Sequence, residues 1–235
     1  MFGRYEADLS YSDADVTITA ARSGVLPRYT RSCRGNRVDK ILPDGTGAIL
    51  INPVEPVNLP EPVTRYLEIT FPPVVLPPRA GRTVYLTFPL EIGVFLEAAG
   101  GIHVLDLFSL VPVKYSLYGS PGAGIITRWH ESGITDGCPV VDRFRFGILT
   151  LTITNAAADV VEVSRAVFDS NSMHLWYGDS VVMNGVMDVY SPMIARTTIA
   201  ETVSGRGLEK AVELYAAARI PSVHGRGYLM EYGVI

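Results

Sequence analysis

The sequence predicts a mainly β protein: two sandwich-like β halves, or one large β-sandwich, with one C-terminal α-helix. Three observations lead there. Short runs rich in Val, Ile, Thr, Leu and Tyr alternate apolar and polar residues with period two, as half-buried strands do. Twenty-two glycines and sixteen prolines punctuate the 235 residues, and turn-forming clusters separate the runs. Only one segment repeats its apolar residues at helical spacing.

In chain order, Asp15 to Ala21 is the first alternating run. Arg65–Phe71 (RYLEITF) and Arg82–Phe88 (RTVYLTF) follow. Thr70-Phe71-Pro72 and Thr87-Phe88-Pro89 close them alike, which suggests two strands of one sheet, each ended by a proline that cannot donate to the ladder. Gly147–Thr154 (GILTLTIT) and Val160–Phe168 (VVEVSRAVF) form the clearest pair. Turns are expected at Pro43-Asp44-Gly45, Pro78–Gly81, Ala99-Gly100-Gly101, Asn155–Asp159, Gly178-Asp179 and Asn184-Gly185. Tyr118–Gly124 (YGSPGAG) suggests a hinge between an N-terminal half, residues 1–120, and a C-terminal half, residues 121–235, or else a long loop inside one sandwich. Leu208, Ala211, Val212, Tyr215 and Ala218 recur at spacings of three and four. They predict a helix over about 207–219 packed on the second half, with Ser204 as a candidate cap and Ile220-Pro221 as its stop. A last strand is expected at about Gly227–Tyr232.

Ile51–Pro62 (INPVEPVNLPEP) holds four prolines in twelve residues. In triplets, Ile51, Val54, Val57 and Pro60 form one stripe, and Pro53, Pro56, Leu59 and Pro62 a second. Asn52, Glu55, Asn58 and Glu61 form the third. Residues before proline are held extended, and polyproline II has three residues per turn. The expectation is a structural strap or blunted sheet edge with its polar stripe in water; the other reading is a ligand for a partner's aromatic groove.

A chain of this length is enough for one large domain or two small ones. The formal net charge of −4 argues against nucleic acid and anionic lipid as partners. MFGRYEADLS has no apolar secretory core, and the longest uncharged apolar-rich run, Phe146 to Ala158, is shorter than the ~18–20 residues a spanning helix needs. A soluble cytoplasmic protein without membrane insertion is expected, with Cys33 and Cys138 as reduced thiols.

The strongest charge feature is a cation at every third residue: Arg28, Arg31, Arg34, Arg37 and Lys40. Neither the helical nor the strand period gathers this spacing on one face. Two readings compete: cross-strand pairing with Glu6, Asp8, Asp13 and Asp15, or an anion or phosphate site. Cys33 lies among these cations, which lower a thiol's pKa, but no histidine is near in sequence to serve as a base. The densest polar patch beside an aromatic is Trp129-His130-Glu131, followed by Asp136 and Cys138 in a predicted loop; it reads as an ordinary polar loop, with a ligand loop holding a metal or acid/base site as the other reading. His103, His130, His174 and His224 are far apart, no metal-ligand spacing occurs, and neither a phosphate-binding loop nor a nucleophile-elbow motif is present. No catalytic residue, metal or cofactor is assigned. Tyr66, Tyr85, Tyr115 and Tyr118 suit packing on sheet faces better than base stacking.

Met1–Tyr5, Val38–Pro43, Ile51–Pro60, Val84–Phe95, Lys114–Gly119, Val161–Arg165 and Glu209–Tyr215 carry a resemblance over nearly the whole chain. The chain resembles the archaeal domain of unknown function 432 family. That resemblance implies an archaeal cytosolic protein, supplies no reaction or catalytic residues, and admits a membrane channel as partner. The function expected is a non-enzymatic interaction or regulatory β module with a protein partner or self-association. The alternative is an enzyme or small-ligand binder joining Arg28–Lys40 to the Trp129–Cys138 loop.

Overall fold

The computed structural model describes residues 1–6, 8–23, 26–43, 47–60, 63–98, 100–203, 205–214 and 227–235. In chain order the strands are β1 (Gly3–Tyr5), β2 (Leu9–Ser12), β3 (Val16–Ser23), β4 (Leu26–Cys33), β5 (Asn36–Ile41), β6 (Ile49–Val54), β7 (Tyr66–Leu76), β8 (Gly81–Pro89), β9 (Glu91–Ala98) and β10 (Gly101–Phe108). Then come β11 (Tyr115–Tyr118), β12 (Ile125–Glu131), β13 (Phe146–Asn155), β14 (Val161–Asp169), β15 (Trp176–Tyr177), β16 (Val181–Val189), β17 (Ala195–Ile199), β18 (Glu209–Lys210) and β19 (Tyr228–Met230). They form four sheets, ordered β1-β6-β9-β10, β2-β3-β4-β5, β11-β12-β7-β14, and β18-β15-β16-β13-β8 with β17 and β19 continuing from β16.

Two large hydrophobic cores result, with a small cluster of Val54, Phe95 and Leu214 beside them. One joins Leu9, Ile18, Tyr29, Ile51, Val94 and Phe108, from the first two sheets. The other joins Leu67, Ile69, Leu86, Leu151, Phe168 and Met187, from the last two. Phe2 packs against both, its ring 5.2 Å from that of Phe144 and 5.8 Å from that of Tyr177. β13 shows why the pattern works. Leu149, Leu151 and Ile153 are buried, while Thr150, Thr152 and Thr154 face outward between β8 and β16.

The mainly β prediction holds, but the turn expected at Asn184-Gly185 falls inside β16, and five further corrections apply to the arrangement. First, the segment predicted to begin a helix is not helical over 208–213. Glu209 and Lys210 pair with Tyr177 and Trp176, and the N–H groups of Ala211 and Val212 go to Leu175 O and Asn52 Oδ1. Tertiary partners take the donors an α-helix would use internally. Second, β7 and β8 belong to different sheets. β7 runs past Phe71 to Leu76, and Pro72 and Pro73 fall where its register with β14 shifts. The facing N–H of Ser164 donates instead to Val234 O at 2.8 Å.

Third, β13 and β14 also lie in different sheets, so the turn after Asn155 crosses between layers. Fourth, residue 120 does not divide the two cores: β7 and β8 pair with β12, β13 and β14 from the other side of it. Fifth, Tyr118–Gly124 is the turn of the β11–β12 hairpin. Gly119 has φ +111, and a Cβ there would lie 2.8 Å from Gly124 Cα and from the Tyr232 ring. The rest of the predicted helix from residue 215, Ser204, Ala99, residues 61–62 and part of the Pro43-Asp44-Gly45 turn lie outside the described residues.

Because Leu151 is fully buried, Leu151→Ala is expected to lower unfolding free energy by about 2–5 kcal/mol in urea denaturation. Thr152→Val, on the outer face of the same strand, should change it by about 1 kcal/mol or less.

Candidate functional site

The cation series does not converge. Arg28 and Arg31 lie on β4, Arg34 in the following turn, and Arg37 and Lys40 on β5. Arg28 grips Asp39 with Nε–Oδ1 2.5 Å and Nη2–Oδ2 2.6 Å, and Arg37 reaches the same carboxylate at 3.8 Å. Arg31 alone turns inward, where Nε donates to Asp106 Oδ2 at 2.6 Å and the guanidinium lies 4.8 Å from the Phe108 ring centre. Tyr29 OH donates to the same carboxylate at 2.9 Å, and burial raises that phenol's pKa. Arg34 donates to Leu110 O and Lys40 to Leu105 O. The cations are thus engaged within the chain, through Asp39, Asp106 and carbonyls rather than the acidic N-terminal residues; Asp15 pairs with Arg145. Cys33 is buried, and desolvation raises its thiol pKa despite Arg31 and Arg34.

Trp129, His130 and Glu131 stand on β12 rather than in a loop, because that segment pairs with both β11 and β7. Strand alternation turns His130 away from the other two. Lys114 Nζ sits 5.3 Å from the Trp129 ring centre, and Glu131 is exposed. His130 Nε2 lies 3.0 Å from Thr87 Oγ1, and burial, helped by Arg128 and Lys114, pulls its pKa down to about 4. Among the described residues, no hydrogen bond or ion pair joins this trio to the β4–β5 cations, and no group of three or more His, Cys, Asp or Glu is placed to hold a metal ion.

The polar cluster that does assemble comes from the proline stretch. Ile51–Val54 is strand, with Pro53 opposite Ile92 of β9 and beyond the end of β1, so its missing N–H leaves no gap there. The stripe expected in water is buried: Asn52, Glu55 and Asn58 are 2%, 3% and 4% exposed. Each is engaged inside. Asn52 Oδ1 accepts from Val212 N at 3.0 Å, and the Glu55 carboxyl accepts from Leu214 N. Asn58 Nδ2 donates to Glu55 O, while Asn58 N donates to Glu91 Oε2 at 3.1 Å. Glu91 Oε1 in turn accepts from Arg128 Nη1, and both residues of that ion pair are buried.

This seam ties β6 and β9 of the first core to β12 of the second and to residues 211–214, where Ala211 joins the second core and Leu214 packs with Val54 and Phe95. Desolvation, with Glu213 and Glu91 adding, pushes the Glu55 carboxyl up to about 8. Burial also raises Glu91, against the pull of Arg128. Glu55 Oε2 and Arg128 Nη2 are buried without a hydrogen-bond partner among the described residues. The seam's carboxyls are closed off from the surface.

The proline triplets marked this segment, but its burial needed the neighbouring sheets. Sequence reasoning also missed the outer edge of β11. On one face of that sheet Ser116, Thr127 and Arg165 surround the buried Glu68. On the other, Tyr115, Leu117 and Ile126 are exposed, with Leu117 opposite Ile126 and Tyr115 OH donating to Leu59 O at 2.8 Å. Trp129 N donates to Lys114 O at 2.9 Å, so the alternation of an antiparallel ladder points the backbone groups of Tyr115 and Leu117 away from β12. The period-two pairs Tyr115/Leu117 and Ile126/Arg128 were the available signal.

Fold and site define a mainly β protein whose cores are tied by an internal ionic seam, with an apolar strand at one sheet edge. The chain belongs to the family described as protein of unknown function (DUF432), which it matches over residues 1–231. No curated protein and no solved structure matches it. Among the described residues, no helix is long and apolar enough to cross a membrane.

Two tests follow from the seam. Glu55 keeps its proton in the folded chain, whereas the unfolded chain releases it at about pH 4–5. Its stabilisation is therefore complete below that range and is lost as pH rises through about 8, a difference on the order of a few kcal/mol. Glu55→Gln should flatten the fall in melting temperature between pH 6 and pH 9. Arg128→Met leaves Glu91 buried and unpaired and should cost about 3–5 kcal/mol in chemical denaturation; adding Glu91→Leu should recover a substantial part of that loss.

Proposed function

We propose that the protein is a non-enzymatic interaction module, built on two sandwich-like pairs of sheets, that takes an extended segment of a protein partner against the edge of β11. The observation behind this reading is the exposed apolar row of Tyr115, Leu117 and Ile126 along a strand whose outer backbone groups have no partner among the described residues. Four of the other edges are blunted. β5 carries Arg37, Asp39 and Lys40. β8 is bridged by Thr135, with both Tyr85–Thr135 backbone bonds made at 3.1 and 3.2 Å. β10 is interrupted by a register shift between Val104 and Asp106 and clamped by Lys40, and β14 donates to Val234. Such devices keep edges from pairing, and an edge without them is where strand addition occurs.

Strand addition draws affinity from main-chain hydrogen bonds and selectivity from alternate side chains. Four residues offer a contact below the ~1,200 Å² of a standard interface, which suits a transient or regulatory partner. A cytosolic setting fits the two free thiols. The anion-site alternative loses support because Arg28–Lys40 are engaged within the chain and stand apart from β12.

A photo-crosslinking residue at position 117 is the direct test. It should yield an adduct with a polypeptide, and Tyr115→Lys should reduce that adduct at least about tenfold. Absence of any polypeptide adduct, in purified protein and in native lysate alike, overturns the reading.

A further inference from the structure

We infer that the polypeptide which pairs with β11 is a second copy of this chain, joined antiparallel about a two-fold axis through Ser116; this rests on the reading of β11 as a binding edge. The outward backbone groups belong to Tyr115 and Leu117, two residues apart. In an antiparallel pair centred on Ser116, Tyr115 of one copy faces Leu117 of the other, and the reverse. Each pairing is a hydrogen-bonded one, so outward N–H meets outward C=O at both positions. The side chains match as well. Directly opposed residues share a sheet face, so exposed Leu117, beside Ile126 on its own sheet, lies against the exposed Tyr115 ring of the other copy.

Charge and length favour the same occupant. Tyr115, Ser116 and Leu117 are neutral, Arg128 across from Tyr115 is buried and already paired with Glu91, and Lys114 falls opposite Tyr118 rather than another Lys114. A strongly charged segment finds no counter-charge here; β11 itself is the neutral, apolar strand the edge asks for. Pro112 and Pro121 bracket the strand, and a proline cannot donate to a ladder. A pairing window fenced at both ends is matched by a strand carrying the same fence. The joined sheet would run β14-β7-β12-β11 into its symmetry mate, with an isologous contact.

Two measurements on the full chain decide it. In sedimentation velocity the wild type should pass from monomer to dimer between low micromolar and several hundred micromolar. Leu117→Lys should weaken the association at least about tenfold. In a Cys138→Ser background, Ser116→Cys should form a covalent dimer on mild oxidation, because opposed residues of a non-hydrogen-bonded pair sit about 4.5 Å apart, within disulfide reach. Ser10→Cys, on the β2 edge, should not.

A wild type monomeric throughout, with Ser116→Cys no quicker to dimerise than Ser10→Cys, overturns the second copy as occupant. The position-117 crosslink separates the two ideas. An adduct only with another polypeptide leaves the edge reading standing and removes self-pairing; no adduct at all removes both.

Discussion

The ion pair between Glu91 and Arg128 is the contact on which the arrangement of the two cores depends. Glu91 opens β9, whose apolar residues Ile92, Val94 and Leu96 build the first core. Arg128 sits on β12, hydrogen-bonded to β7 of the second. Neither side chain reaches water, so each is tolerable only because the other is there. Asn58 completes the Glu91 shell through its backbone N–H, and Glu55 holds residue 214 in place. The hydrophobic effect collapses each sheet pair but is non-directional. An oriented polar seam supplies the direction, fixing where one pair of sheets meets the other.

The proline stretch fits that role. A buried carboxyl such as Glu55, whose ionisation burial opposes, and amides such as Asn52 and Asn58 must meet their partners at fixed angles. Proline restricts both itself and the residue before it, so the segment loses little further backbone freedom on folding. The three-residue register read from the sequence is thus a device for presenting polar groups at regular intervals, aimed inward at β9, β12 and residues 211–214. The same triplets mislead when polarity is equated with exposure. Buried polar groups are stable when hydrogen-bonded, and only the folded neighbours reveal those bonds.

This is the physical limit on what the sequence made legible. β13 could be read residue by residue because period-two alternation is local, and so could β3; β16 could not, because Asn184-Gly185 inside it carries a turn signal. Which strand lies beside which could not, since β7 and β8 share a closing motif yet enter different sheets, and β13 pairs in parallel with β16, Ile148 lying opposite Val182. The Arg28–Lys40 spacing was conspicuous in sequence and is dispersed in space, because one alternating hairpin sends Arg31 to Asp106 and leaves Arg28 with Asp39. The apolar spacing from Leu208 resembled a helix because Ala211 and Leu214 are indeed buried, each against a different core cluster.

The seam also bears on the open edge. β11 is held by β12 along four registered pairs, and Arg128, opposite Tyr115, is clamped by Glu91. Tyr115 is tied to Leu59, the residue after Asn58 in the same buried segment. An edge strand free to fray would meet an ordering cost each time it paired. One anchored on both sides has met that cost during folding, and the surplus goes to binding. Four residues are a short recognition element, and this rigidity is what lets so short a strand hold a register. The ionic seam and the exposed edge are therefore one construction: Arg128, on the same sheet face as Tyr115, Leu117 and Ile126, is held by Glu91 at the inner end of the apolar row.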